Sequence, residues 1–130
     1  GDTYLTIDFQ NIFKKIKNKN KSILIINKNS NQYDKSNVYY DKIKKKFIYD
    51  SKLNKNINYN YIDYGLSYVF NDELNIIMKN KKIIDMKYFF DFSSKKDTLD
   101  FVETNSPFYE IGSFNGITRF QNEKPYKNFL

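Results

Sequence analysis

The chain contains no histidine and no cysteine. That removes the usual general base, the usual zinc ligands and every thiolate or disulfide chemistry. What remains is carboxylates, lysines, tyrosines and hard metal ions. One stretch concentrates the interest: Tyr61-Ile62-Asp63-Tyr64-Gly65-Leu66-Ser67-Tyr68-Val69-Phe70. Its β-branched and aromatic residues, bounded by Asn58-Tyr59-Asn60 and Asn71-Asp72, predict a strand. Asp63 and Gly65 interrupt it. A carboxylate and a glycine inside a core strand cost burial and packing, so they need a reason. One reason is a bulge with a hydrogen-bonded aspartate. The other is a site where a ligand lies against bare backbone at Gly65 while Asp63 meets its polar groups. Two further carboxylates stand beside glycines, Asp2 after Gly1 and Glu110 before Ile111-Gly112. Each read alone is a turn residue.

The elements that must position these residues follow from periodicity. Phe9, Ile12, Phe13 and Ile16 predict an apolar helix face, with Thr6 as cap and Lys14, Lys15, Lys17 and Lys19 crowding the later turns. Ser22-Ile23-Leu24-Ile25-Ile26 predicts a strand buried on both faces. A polar loop covers 27–37. Val38-Tyr39-Tyr40 and Phe47-Ile48-Tyr49 predict a hairpin, and a second polar loop covers 51–60. Helices are expected over 72–80, with Leu74, Ile77 and Met78 inward, and over 85–95, with Met86, Phe89 and Phe90 buried. Leu99-Asp100-Phe101-Val102 alternates as a strand. Tyr109 to Gly112 reads as a turn, and Ser113 caps a last helix with Ile117 and Phe120 inward. Strands mixed with helices argue an α/β fold with a partly parallel sheet, residues 1–130 forming a single unit.

Composition sets the outer limits. With 130 residues, 40% hydrophobic and 18% aromatic, the chain can bury a core and is not a disordered segment. No apolar run approaches a membrane span and no signal peptide is visible, which reads as a cytoplasmic protein with no membrane partner. The net charge of +7 invites a basic nucleic-acid-binding domain. Against that reading, Arg119 is the only arginine, and the lysines are scattered among abundant Asn, Ile and Tyr.

Four segments, in order, resemble the sugar-phosphate nucleotidyltransferases of the glucose-1-phosphate thymidylyl- and mannose-1-phosphate guanylyltransferase type. Gly1-Asp2-Thr3-Tyr4-Leu5 resembles the family's central Gly-Asp metal motif. Tyr33-Asp34-Lys35-Ser36-Asn37-Val38 resembles the segment entering its hairpin. Tyr61-Ile62-Asp63-Tyr64-Gly65-Leu66 resembles its acceptor-site strand, and Phe108-Tyr109-Glu110-Ile111-Gly112-Ser113 its late acidic-Ile-Gly-Ser/Thr turn. The resemblance implies a Rossmann-like mixed sheet, and it covers only the C-terminal, acceptor- and metal-binding portion of the family's domain. It implies transfer of a nucleoside monophosphate from a nucleoside triphosphate to a sugar 1-phosphate, releasing pyrophosphate, for nucleotide-sugar and surface polysaccharide synthesis. It makes Asp2 and Glu110 ligands of Mg²⁺, and Asp63 and Gly65 acceptor-site residues. A lysine meets phosphate in the family directly after an acidic residue. Here Ser51 holds that position and Lys52 follows one later, a slip that turns an extended side chain to the opposite face. Lys52 is thus either a displaced phosphate ligand or a solvated lysine.

The family's Gly-rich loop and downstream Pro-Lys, which hold the triphosphate, have no counterpart. The four glycines here show no phosphate-loop spacing. The expectation is a chain that is inactive alone and leaves a sheet edge unpaired, completed by a companion chain that carries the loop. A non-catalytic binding module or partner subunit of the same fold is the alternative.

Overall fold

The computed structural model describes residues 3–16, 20–29, 34–50, 52–79 and 83–129. The expectations placed on Gly1, Asp2, Lys17, Lys19, Tyr33, Ser51 and Asn80 lie outside these residues. Seven strands and four α-helices are described, followed by a 3₁₀ turn at Pro125–Phe129: β1 Thr3–Leu5, α1 Phe9–Lys15, β2 Ser22–Lys28, β3 Val38–Asp41, β4 Lys46–Tyr49, β5 Tyr61–Tyr68, α2 Asn71–Met78, α3 Met86–Lys95, β6 Leu99–Thr104, β7 Phe108–Glu110 and α4 Phe114–Glu123. Five strands form one mixed sheet in the order β4-β3-β5-β2-β6, and β1 pairs with β7 in a separate two-stranded sheet. The architecture is the expected α/β fold with a partly parallel sheet. β2 runs parallel to β6 and antiparallel to β5.

β2 is the centre. Its residues from Ser22 to Asn27 are all buried. Alternation along the strand divides them between two cores. Leu24 and Ile26 join Tyr49, Tyr61, Ile77, Phe89, Phe90 and Leu99 beneath α2 and α3. Ile23 and Ile25 join Ile7, Ile12, Ile16, Ile62, Tyr64 and Phe108 on the α1 side. A strand covered on both faces has no polar positions to alternate, which is why the sequence shows a continuous apolar run.

Several expectations are corrected. β2 continues through Asn27 and Lys28, where the sequence predicts a loop. Thr6 does not cap α1; Asp8 does, accepting from the Asn11 N–H, while the Thr6 hydroxyl donates to the Pro107 carbonyl. Ile12 and Ile16 are buried as expected, but Phe9 and Phe13 are exposed. Within this seven-residue helix Ile12 makes the core contact and Ile16, the extended residue that ends it, joins the same core, while the Phe9–Phe13 stripe rolls outward. Met86 and Ile117 are likewise exposed. Tyr109 and Glu110, where the sequence predicts a turn, lie in β7, a strand paired with β1.

β5 is irregular where its sequence is irregular. From Asp63 to Ser67 it uses four steps against the two that β2 uses from Leu24 to Ile26. Gly65 sits in this bulge with φ of +81°, a conformation that side chains rarely adopt. On its other edge β5 pairs with β3 at Tyr61 alone, and from Ile62 to Tyr68 no ladder partner stands on that side among the described residues.

Candidate functional site

The bulge opens onto a cleft of about 480 Å³ between β5, β7 and the start of α3. Period-two alternation sends Ile62 and Tyr64 to the α1 core. It leaves Asp63 and Gly65 lining the cleft. One Asp63 oxygen accepts from the Gly65 N–H at 2.9 Å, and the Asp63 N–H donates to the Asn37 side chain at 2.9 Å. The first reading of the interruption is borne out, an aspartate hydrogen-bonded within a bulge, and the bulge lines the cleft. Burial raises the Asp63 carboxyl above its ordinary range, while the Gly65 N–H and the charge of Lys87 act in the opposite direction.

Glu110 reaches the same cleft from β7. Buried polar clamps set that strand in place. The Asn27 amide donates to the Thr104 and Ser106 carbonyls at 3.1 and 2.9 Å. The Tyr64 hydroxyl donates to the Pro107 carbonyl at 3.0 Å, and the Tyr64 ring meets Phe108 edge-on at 5.7 Å. The Glu110 carboxylate then accepts from the Gly112 N–H and, at 2.6 Å, from the Ser113 hydroxyl. Ser113 accepts in turn from the Gly116 N–H and caps α4, as the sequence predicts.

Asp2 lies outside the described residues. The chain enters β1 at Thr3, which lines the cleft and is the register partner of Glu110. No group of three acidic side chains among the described residues is placed to hold a metal by itself. Mg²⁺ is commonly held by one or two carboxylates with phosphate oxygens and water. A carboxylate offers about four lone-pair directions, and Glu110 uses two of them locally. Glu110 would therefore have acceptor capacity left for a hard cation, were one to be held there.

Lys52 does not line this cleft. It is exposed, in a turn organised by Asp50, which accepts from the Lys52 and Asn54 N–H groups and the Tyr59 hydroxyl. The extra residue before Lys52 places it in the loop and not at the strand end.

The cleft also contains groups not singled out in the sequence. Tyr49 ends β4 and is almost fully buried. Burial, then the nearby charges of Asp63, Asp85 and Asp91, push its hydroxyl well above the ordinary tyrosine range, so it stays a neutral donor. Asp85 caps α3 by accepting from the Lys87 N–H at 2.9 Å. Lys87, in the first turn of α3, faces the cleft. A tyrosine terminating an apolar strand gives no polar signal in sequence, and Lys87 is hidden among 21 other basic residues.

The sole arginine is structurally engaged: Arg119 pairs with Glu123 at 2.9 Å and lies 4.7 Å over the Tyr109 ring. No described helix is long and apolar enough to cross a membrane.

No protein-family model and no curated protein matches the chain. Among solved structures, the fold is similar to a crystal structure from Bacillus anthracis provisionally assigned as a glucose-1-phosphate thymidylyltransferase, in complex with sucrose. The TM-score is 0.67 at 13% identity, covering 94% of this chain and 51% of that one. The likeness is one of fold, and the chain spans about half the length of that structure.

Proposed function

We propose that the cleft is the acceptor-side pocket of a sugar-phosphate nucleotidyltransferase site. The observation that carries this reading is the convergence of Asp63, Gly65 and Glu110, from two separate strands, on one cleft. A fold of nucleotidyltransferase type supports it.

In this reading the phosphate oxygen of a sugar 1-phosphate attacks the α-phosphorus of a nucleoside triphosphate. The bond to the β-phosphate breaks and pyrophosphate leaves. Such a transfer asks the protein mainly for positioning and charge neutralisation. Gly65 keeps the cleft wall bare beside Thr3, whose side chain stands 3.5–3.8 Å from where a Cβ would be, so a sugar ring would approach alongside Thr3. The Asp63 oxygen not held by Gly65 accepts from a sugar hydroxyl, and the neutral Tyr49 hydroxyl donates. Glu110, with Asp2, would hold Mg²⁺, which when bound neutralises phosphate charge. The loop that grips the triphosphate comes from polypeptide beyond these 130 residues or from a companion chain.

The test is a titration of ¹⁵N-labelled chain with glucose 1-phosphate and Mg²⁺. The amides of Gly65 and Gly112 should shift together, saturably. Shifts confined to lysines outside the cleft would end this reading.

A further inference from the structure

The tip of the β3–β4 hairpin gathers four lysines within five residues, Lys42, Lys44, Lys45 and Lys46, around Ile43. A lone exposed apolar residue is ordinary on a protein surface. This one is 95% exposed, more than any other large hydrophobic residue described, and the turn that carries it is fixed. The Asp41 carboxylate accepts from the Ile43 and Lys44 N–H groups at 2.9 and 3.0 Å, and Lys45 closes the turn in the left-handed region with φ of +50°. At the base, Tyr40 and Phe47 pack on the Phe101 ring of β6 at 4.4 and 4.9 Å, and Lys42 pairs with Glu103 at 3.3 Å. Lys42, Asp41 and Glu103 are thus engaged in holding the hairpin. Lys44, Lys45 and Lys46 are exposed and form no ion pair among the described residues. Beside them a groove of about 390 Å³ separates the hairpin from residues 56–58, with Tyr39, Lys44, Lys46, Asn56 and Asn58 in its wall and no carboxylate. It shares no lining residue with the cleft, where carboxylates outnumber lysines.

We infer that this hairpin tip docks the protein on an anionic lipid surface, with Ile43 entering the headgroup boundary while Lys44, Lys45 and Lys46 meet lipid phosphates. Membrane attachment through one weak signal is marginal, and an apolar residue joined to a basic cluster supplies two. Lysine is a compact point charge, suited to a layer of dispersed phosphates. Because the turn is already ordered by Asp41, docking it carries little further ordering cost. A nucleic acid would use the same lysines but leave Ile43 without a role, since stacking on bases takes an aromatic side chain. The contact is peripheral and stands independently of the acceptor-pocket reading.

The experiment sediments the full chain with vesicles of phosphatidylcholine alone, and of phosphatidylcholine and phosphatidylglycerol in equal parts. Wild-type protein should pellet with the mixed vesicles and stay in solution with phosphatidylcholine alone. Each lysine at such a surface is worth about fivefold in binding, so Lys44→Gln/Lys45→Gln should bind about 25-fold more weakly. Lys14→Gln/Lys15→Gln removes the same charge from exposed positions on α1 and should bind as wild type. The chain has no tryptophan, so Ile43→Trp places a single reporter at the tip. Its emission should move to the blue on the mixed vesicles and be quenched by lipids with brominated acyl chains. All these positions are exposed, and a urea midpoint within error of wild type establishes that each variant is folded. Equal losses in the two lysine pairs overturn the inference and reduce the effect to net charge. An Ile43→Trp emission that the mixed vesicles neither shift nor quench, beside salt-sensitive binding to transfer RNA, overturns it in favour of a nucleic-acid surface. Wild-type protein that stays in solution with the mixed vesicles overturns it outright.

Discussion

Replacing Gly116 with alanine should destabilise the protein, although in most helices that change does the opposite. Gly116 lies in the first turn of α4. In an unobstructed helix, alanine is favoured over glycine by about 1 kcal/mol. Here a Cβ would stand 1.8 Å from the Glu110 carbonyl oxygen and 2.9 Å from its Oε2, where real Cβ atoms keep at least 3.0 Å. The oxygen would have to retreat by 1.2 Å, the difference between 3.0 and 1.8 Å. It belongs to backbone paired with Thr3 in β1, so it cannot rotate away as a flexible side chain would. Forcing atoms into packed space typically costs about 1–3 kcal/mol, and more when backbone must move. Taking about 3 kcal/mol, the upper end, because backbone must move, and subtracting the propensity gain of about 1 leaves an expected net loss of about 2 kcal/mol. With a urea slope of about 2 kcal/mol per molar, the midpoint should fall by about 1 M. Tyrosine fluorescence can follow the transition, because the chain has 12 tyrosines and no tryptophan. A midpoint that rises by about 0.5 M, the value for unobstructed propensity alone, would refute the seating of α4 on β7.

Asp63→Asn should stabilise the chain at pH 7, because the folded state holds a desolvated carboxylate whose pKa is raised from 3.8. The wild-type carboxyl favours folding when protonated and loses that contribution as pH rises through its folded pKa. The advantage of the variant should therefore vanish below pH 3.8, and an advantage that persists there, in urea titrations at both pH values, would refute the burial argument. Asn27→Leu keeps the branching of the side chain but leaves the Thr104 and Ser106 carbonyls without their buried donor, and should cost about 1–3 kcal/mol by chemical denaturation. The chain alone, given Mg²⁺, each nucleoside triphosphate and a panel of sugar 1-phosphates, should release no pyrophosphate above background; clear turnover would refute the need for a further triphosphate-gripping segment.

The elements easiest to read from sequence were those whose burial leaves a single pattern. β2 is apolar on both faces and announces itself, and the β3–β4 hairpin alternates around a polar turn. The helix errors share one cause. Periodicity identifies an apolar stripe but not how far the helix rolls against its neighbour, so Phe9, Phe13, Met86 and Ile117 were assigned inward and stand exposed. β1 and β7 escaped because three-residue strands carry too little alternation to separate from turns. Within the candidate site, Asp63 and Gly65 stand out because each breaks a local rule, a charge and a glycine inside a strand, whereas Glu110 alone reads as a turn residue and is singled out only by the family resemblance. Tyr49 and Lys87 break none, and only the packing of α3 on β4 brings them to the cleft. Lys52 illustrates the reverse case, where motif position suggested a role that one extra residue removed.

The central place of β2 also governs when the fold can close. Its antiparallel neighbour begins at Tyr61 and its parallel neighbour at Leu99, so neither edge of the Ile23–Ile26 run is covered by adjacent sequence. During synthesis at about 5–20 residues per second, the roughly 70 residues from Lys28 to Leu99 take about 4–14 s to appear. Throughout that interval the most apolar strand of the chain has at least one unpaired edge. Such non-local pairing slows folding, and a short, uncharged, β-branched segment is well suited to stacking against copies of itself. Soluble yield should therefore respond to translation rate and to holdase chaperones more than to the stability of the finished protein.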